Sequence, residues 1–476
     1  MDNNLEENIR RMVEEVIRNM NLNNSNQNFS TITSENTGIF NDLNSAVAAA
    51  KEAFKNLNSI SLETRRKIIA NIRKTCHENV ETLSKMAQEE TGMGRVETKI
   101  IKNKLAIDKT PGVEDIIPEA FTADEGLTLV EHAPYGVIGS ITPSTNPTAT
   151  IICNGIGMIA AGNTVVFNPH PSAKKTSCFL INLINKAIIE AGGPANVLTA
   201  MAEPTVESAQ QLMTHKDIAI MVVTGGPGVV KQAMNSGKKV IAAGPGNPPC
   251  VVDETADIVK AGKHIVDGAS FDNNIICICE KEILVVESVA DRLKEEMKKN
   301  GAYELNETQI KKLSDILIVE PGGPGKEGVI NKKYVGKNAD YIAKSINLDV
   351  PPSTRLLLCE VPKEHPLVWT EQLMPVIPFT RLKDVDTAID LAVKCEHGFR
   401  HTAIMHSLNV AKLSKMAKAM NCSLFVKNGP SYAGLGAGGA GFTSFTIASP
   451  TGEGITRART FTRERRCTLV DYFRII

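Results

Sequence analysis

The residue types best suited to chemistry fall in one run, Ser270-Phe271-Asp272-Asn273-Asn274-Ile275-Ile276-Cys277-Ile278-Cys279-Glu280. Gly268-Ala269 and the Asp-Asn-Asn tripeptide favour a turn. Beyond the charged Glu280-Lys281-Glu282, the apolar Ile283-Leu284-Val285-Val286 favours a strand. Cys277 then stands where turn gives way to strand, a place from which a thiol can face a cleft. A thiolate there would attack a carbonyl, and the resulting thioester would be a good acyl donor. An inert buried cysteine fits the same position. A metal site fits less well, because two thiols without a second Cys/His pair make a poor zinc centre. If the run is extended, alternation puts Cys279 on the same face as Cys277, lining the cleft too.

Two loops carry ligand signals. Thr224-Gly225-Gly226-Pro227-Gly228 follows an apolar run and opens a helix expected at Val229. Its glycines let backbone and helix N-terminus approach a phosphate, although an ordinary tight turn has the same composition. Thr142-Pro143-Ser144-Thr145-Asn146-Pro147-Thr148 also follows a strand pattern, and would present hydroxyl and amide groups at a sheet's carboxyl end.

The elements that must position these residues follow an α/β rhythm. Helices are expected over 43–57, 61–92 (Ser61 as N-cap) and 95–108, and a hairpin over 116–133 around Asp124-Glu125-Gly126. Strands at 137–141, 164–167, 197–201, 218–223 and 240–242 alternate with helices, the βαβ pattern of a doubly wound sheet. The second half continues with strands near 281–287, 314–319, 355–360, 376–381, 402–405 and 423–427. Residues 1–22 place Leu5, Ile9, Met12, Val13, Val16, Ile17 and Met20 on one helical face. The Asn- and Ser-rich stretch up to Thr37 suits a flexible linker, so the helix is expected to be a partner-binding tag or to fold back on the body.

With 476 residues and 42% hydrophobic content, the chain can bury two or three cores. Its 53 basic and 53 acidic residues balance, which gives no reason to expect nucleic acid or an anionic membrane as partner. No run approaches membrane-spanning length, and ten scattered cysteines without a secretory signal suit free thiols in a reducing cytosol.

In order along the chain stand Asp-Lys-Thr-Pro-Gly-Val-Glu-Asp at 108–115, Ile141 to Thr148, Pro169-His170-Pro171 and Thr224 to Gly228. Gly246-Asn247-Pro248-Pro249, Ser270 to Cys277, Glu371-Gln372-Leu373-Met374-Pro375, Val426 to Gly434 and Pro450-Thr451-Gly452-Glu453-Gly454 follow. From Gly38 onward this resembles the aldehyde dehydrogenase superfamily, and within it the CoA-acylating propionaldehyde dehydrogenases of bacterial microcompartments. The resemblance implies an α/β, aldehyde dehydrogenase-like fold. Its parts would be a Rossmann-type nucleotide-binding domain (38–112 and 136–243), an α/β catalytic domain (244–455) and a β oligomerisation arm (113–135 and 456–476), the last making a homodimer or homotetramer.

The resemblance also implies Cys277 as nucleophile and Asn146 as oxyanion donor, with Thr145 as the other register. NAD would be bound by Thr142, Pro143, Ser144, Thr145, His170, Thr224, Gly225, Gly226 and Gly228, with Glu371 on a ribose; no metal is implied. A short-chain aldehyde and coenzyme A would be the co-substrates, and residues 1–22 would address the enzyme to microcompartment shell or cargo proteins. Hydrolytic members place a glutamate about 35 residues before the nucleophile, where Ala242 stands here. Alanine cannot be a base, so a thiol rather than water is expected to release the acyl group.

Overall fold

Asp42 accepts the Ser45 N–H at 2.9 Å and Ser61 the Thr64 N–H at 3.1 Å; these caps start helices Leu43–Ser59 and Leu62–Glu78. The single helix expected over 61–92 is in fact two. Asn79 leaves helical geometry (ψ 8°), its side chain bonds the Thr75 carbonyl at 2.9 Å, and a second helix runs Val80–Thr91. Helix Val96–Lys109 follows. A computed structural model describes residues 37–476, of which 38–476 form one compact unit. The expected tag at 1–22, and all of the linker but Thr37, lie outside the described residues.

The strands in the first half are β1 (Ile39–Phe40), β2 (Glu119–Ala123), β3 (Gly126–Pro134), β4 (Val137–Thr142), β5 (Thr164–Pro169), β6 (Leu198–Met201), β7 (Ile220–Thr224) and β8 (Lys239–Ala243). Six of them form a sheet in the order β1-β6-β5-β4-β7-β8, every pair parallel. The chain winds outward from β4 in one direction and resumes at β7 in the other, so the sheet reverses between β4 and β7. Ligands of open α/β sheets bind at such a reversal, outside the strand carboxyl ends. Strands β4 and β5 are buried along their whole length and carry no charged residue, as strands covered on both faces require.

The second half supplies β9 (Pro249–Val252), β10 (Glu282–Val286), β11 (Ala302–Leu305), β12 (Ile318–Glu320), β13 (Val329–Ile330), β14 (Leu356–Glu360), β15 (Val376–Leu382), β16 (Thr402–His406), β17 (Leu424–Lys427), β18 (Ile447–Ala448), β19 (Gly454–Ile455) and β20 (Thr462–Val470). Seven make a parallel sheet ordered β11-β14-β15-β10-β9-β16-β17. The strand expected at 314–319 is mostly the end of helix Glu307–Leu317; only Ile318 onward is extended. Asn306 and Gln309 close a reciprocal cap, and Ile310, Leu313 and Leu317 share the buried face, so the helical period wins. The hairpin β2–β3 forms as expected, and β20 pairs antiparallel with β3 from Thr462↔Pro134 to Val470↔Gly126.

Candidate functional site

The run before β10 is a turn throughout. Asp272, Asn273 and Asn274 all take left-handed backbone angles, with φ of 47°, 55° and 65°. Asn and Asp are the side-chain-bearing residues that tolerate this region best. Each side chain is also bonded in place. Asp272 accepts the Arg95 N–H at 2.9 Å, Asn273 bonds Asn338 at 2.7 Å, and Asn274 donates to the Ala269 and Glu280 carbonyls at 2.8 and 2.9 Å. Extended alternation therefore does not reach Cys277, and β10 begins only at Glu282. Cys277 stays half-buried, whereas Cys279 is fully buried with its sulfur 3.8 Å from the Phe271 carbonyl. The expectation that Cys279 lines the cleft is thus corrected.

Asp272 anchors the turn to the first half of the chain. It is fully buried against the ammonium groups of Lys99, at 3.1 Å, and Lys102. Burial alone would push its carboxyl up; the two cations outweigh that and hold it below the usual range. Gly94, at φ 75°, lets the preceding loop approach closely, since a Cβ there would stand 2.0 Å from the carboxylate. Lys102 also donates to Asn146 Oδ1 at 2.8 Å. An ammonium can only donate, so the amide oxygen must face it and the Asn146 N–H2 must face away. That N–H2 donates to Thr145 Oγ1 at 3.3 Å and retains a second hydrogen. The loop after β4 and the thiol-bearing turn are thereby fastened to one lysine.

Other loops close around Cys277. A Cβ on Gly246 would lie 2.8 Å from the Cys277 carbonyl oxygen and 3.0 Å from the His401 ring, so only glycine fits between them. The Gly246 N–H bonds the half-buried Glu371 carboxyl. Burial pushes that carboxyl up to about 7, with Glu327 adding to the rise and Lys281 opposing it. Burial also pushes the Cys277 thiol up to about 12; Glu371 adds to this, and Lys281 and Lys102 pull the other way. His401 is buried, its Nδ1 is 2.8 Å from the Thr402 hydroxyl, and its Nε2 has no partner. Burial, with the Lys281 charge, brings it down to about 3, so the imidazole is neutral.

The nucleotide-loop residues divide. Thr142 ends β4, and its buried hydroxyl has no partner; the His170 N–H donates to the Thr142 carbonyl at 3.1 Å, joining the ends of β4 and β5. Pro143, Ser144 and Thr145 continue from Thr142 toward Asn146. The Thr224 hydroxyl is 2.8 Å from that of Thr446, which leaves backbone rather than side chain to meet a ligand. Gly226 and Gly228 have open space where a Cβ would stand. The helix there starts at Pro227 rather than Val229, because proline suits a first helical position. An orphaned hydroxyl and an open glycine cradle beside the β4/β7 reversal fit a phosphate-bearing dinucleotide. No group of three or more possible metal ligands occurs among the described residues.

The profile described as "Aldehyde dehydrogenase family" matches residues 20–306, more than half of the chain. An acetylating acetaldehyde dehydrogenase of Bilophila wadsworthia is 53% identical over 447 residues, covering 92% of this chain and 91% of the relative. The chain belongs to the aldehyde dehydrogenase family. A propionaldehyde dehydrogenase structure from the Clostridium phytofermentans fucose utilisation bacterial microcompartment superposes with a TM-score of 0.89 at 49% identity, over 92% of this chain and 100% of that one. The Rhodopseudomonas palustris propionaldehyde dehydrogenase, solved with bound CoA and an acylated cysteine, gives 0.88 at 49% identity over 91% and 98%. The fold is the aldehyde dehydrogenase-like α/β fold.

Four participants escape a reading of sequence alone. Lys99 and Lys102 lie on the apolar face of their helix with Asn103, Ala106 and Ile107, and that placement of charge within a core period is the signal that could have found them. His401 and Lys281 carry no comparable mark.

Proposed function

We propose that this protein is a CoA-acylating aldehyde dehydrogenase that converts a short-chain aldehyde, propanal foremost, with NAD and CoA into acyl-CoA and NADH. The observation that carries the reading is Lys102 gripping Asn146 and Asp272 together, since it ties the amide-bearing loop after β4 to the turn that carries the thiol. The relatives' names support the aldehyde and the acyl acceptor.

Cys277 attacks the aldehyde carbon, and the oxygen that becomes anionic is met by the Asn146 amide and the Cys277 backbone N–H. Bound NAD supplies the hydride acceptor that converts this adduct to a thioester. The Gly226–Gly228 backbone and the Thr142–Thr145 segment would hold the dinucleotide, with His170 beside them, and the Glu371 carboxylate would accept ribose hydroxyls. Ala242, fully buried with its N–H bonded to Thr451 at 3.0 Å, offers water no base at the position where hydrolytic members have one. The thioester therefore waits for the CoA thiol. NADH production should show, without CoA, at most a burst comparable to the number of active sites; with CoA, it should turn over steadily across C2 to C4 aldehydes. Steady carboxylate formation without CoA would overturn the reading.

The strand pair β3–β20, with the exposed Leu469, Val470, Tyr472 and Phe473 at its end, supports a homodimer or homotetramer built through this arm. The apolar stripe in residues 1–22 supports delivery to the lumen of a bacterial microcompartment through shell or cargo proteins.

A further inference from the structure

Glu280, Lys281 and Glu282 look like a surface triplet, yet all three are fully buried directly after the Cys277 turn. Glu280 accepts both the N–H and the hydroxyl of Ser431 at 2.8 Å, and burial pushes its carboxyl up to about 7. Both Glu282 carboxyl oxygens lack a partner, and burial, with Glu396 nearby, pushes the group well above its ordinary value. Lys281 is arranged differently. Its ammonium donates to Asn274 O at 2.8 Å, Asn274 Oδ1 at 2.5 Å and Ile276 O at 3.5 Å. Three hydrogens meet three oxygens of the turn that carries Cys277, and none of the three is a carboxylate. The Lys102 charge, by contrast, is answered by Asp272.

We propose that Lys281 is the positioning residue of the thiol: its ammonium pins the left-handed turn and supplies the un-neutralised positive charge that stabilises the Cys277 thiolate. A thiol in so enclosed a place needs a cation to ionise near neutral pH. The charged and titratable groups facing this ammonium are Cys277, Cys279, Glu280, Glu282, Glu371 and His401. Burial disfavours charge on Glu280, Glu282 and His401, and Glu371 opposes the thiolate once it ionises. Lys281 and, to a smaller extent, Lys102 are what favour it from the side chains.

The inference rests on Cys277 as the nucleophile, which Cys277→Ala tests separately by turnover. Its own test is the rate of Cys277 alkylation by iodoacetamide in the full-length enzyme, resolved by peptide mass from pH 6 to 10. Lys281→Gln keeps hydrogen-bond donors without charge, and Lys281→Arg keeps charge. The Gln variant should be alkylated about tenfold more slowly across that range, the loss of thiolate that a thiol shifted up by one pH unit gives below its midpoint. Its NADH burst should slow comparably, with KM for NAD within about twofold of the parent. Lys281→Arg should stay near the parent profile. A Gln profile superimposing on the parent, an Arg variant as impaired as Gln, or failure of both to fold would each overturn the proposal.

Discussion

Asp272→Asn removes the carboxylate that answers two buried ammonium groups while keeping a residue that tolerates φ 47°. Asparagine can still accept from the Arg95 N–H, so the change isolates charge. Lys99 and Lys102 are at most 2% exposed in their side chains and would be left buried with one neutral acceptor between them. Stranding one member of a buried pair costs about 3–5 kcal/mol. One lysine can instead shed its proton, which at pH 7.5 costs about 4 kcal/mol against an ordinary lysine and falls by ~1.4 kcal/mol for each unit of rising pH. The loss of stability should therefore be about 3–4 kcal/mol near neutral pH and shrink toward pH 9. The sign follows because a lysine held neutral in the folded state binds fewer protons than the unfolded chain, so stability rises with pH. Lys102, which holds Asn146, also loses the carboxylate that fixes it, so kcat should fall, bounded by the ~10²–10³ that deleting an oxyanion donor costs. Calorimetric melting at matched scan rates from pH 7 to 9, with kcat and KM on the same preparations, measures both. A melting deficit that is absent, or that does not change with pH, would refute this account of the Lys99–Asp272–Lys102 cluster.

Cys277→Ala should abolish aldehyde oxidation with melting unchanged, and Cys279→Ala should retain most activity; a dead Cys279→Ala with an active Cys277→Ala would reverse the assignment. Glu371, with its carboxyl at about 7, is ionised only above that pH, and the ionised form accepts ribose hydroxyls better. NAD binding followed by fluorescence titration should therefore tighten between pH 6 and 8 and lose that dependence in Glu371→Gln, and a Gln variant with the parent's pH dependence would contradict the role. Deleting residues 1–22 should leave specific activity unchanged and release the enzyme from compartments. Fusing them to a fluorescent protein should deliver it there, and Ile9→Glu with Val16→Glu should stop that delivery.

Strands β4 to β8 were legible because each is an apolar run closed by glycine, proline or a capping residue. Strand β9, near the middle of its sheet, was not: Pro249-Cys250-Val251-Val252 is too short to register and opens with a second proline. Strand β11 hid behind the polar Tyr303-Glu304. At the site, Cys277 and the loop after β4 could be found from residue type and turn chemistry. The buried charges could not, because a lysine or glutamate in a sequence reads as solvated, and only tertiary contacts reveal where its hydrogen bonds go. The left-handed turn belongs to the same class. Asp-Asn-Asn predicts a bend, but not that the bend would pull Cys279 out of the cleft.

Strand β3 finds its partner β20 more than three hundred residues later, at Thr462–Val470. During synthesis, β3 and β2 make a hairpin with one edge open while both large sheets are being completed. Pairing of that edge must wait for residues 462–470, and closing so long a loop is entropically slow to nucleate. Until residues 462–470 emerge, the open edge is a place where another nascent copy could pair in their stead. Yield at high expression should then depend on how quickly residues 462–470 are delivered, through codon choice in the stretch that encodes them, more than on the stability of either core.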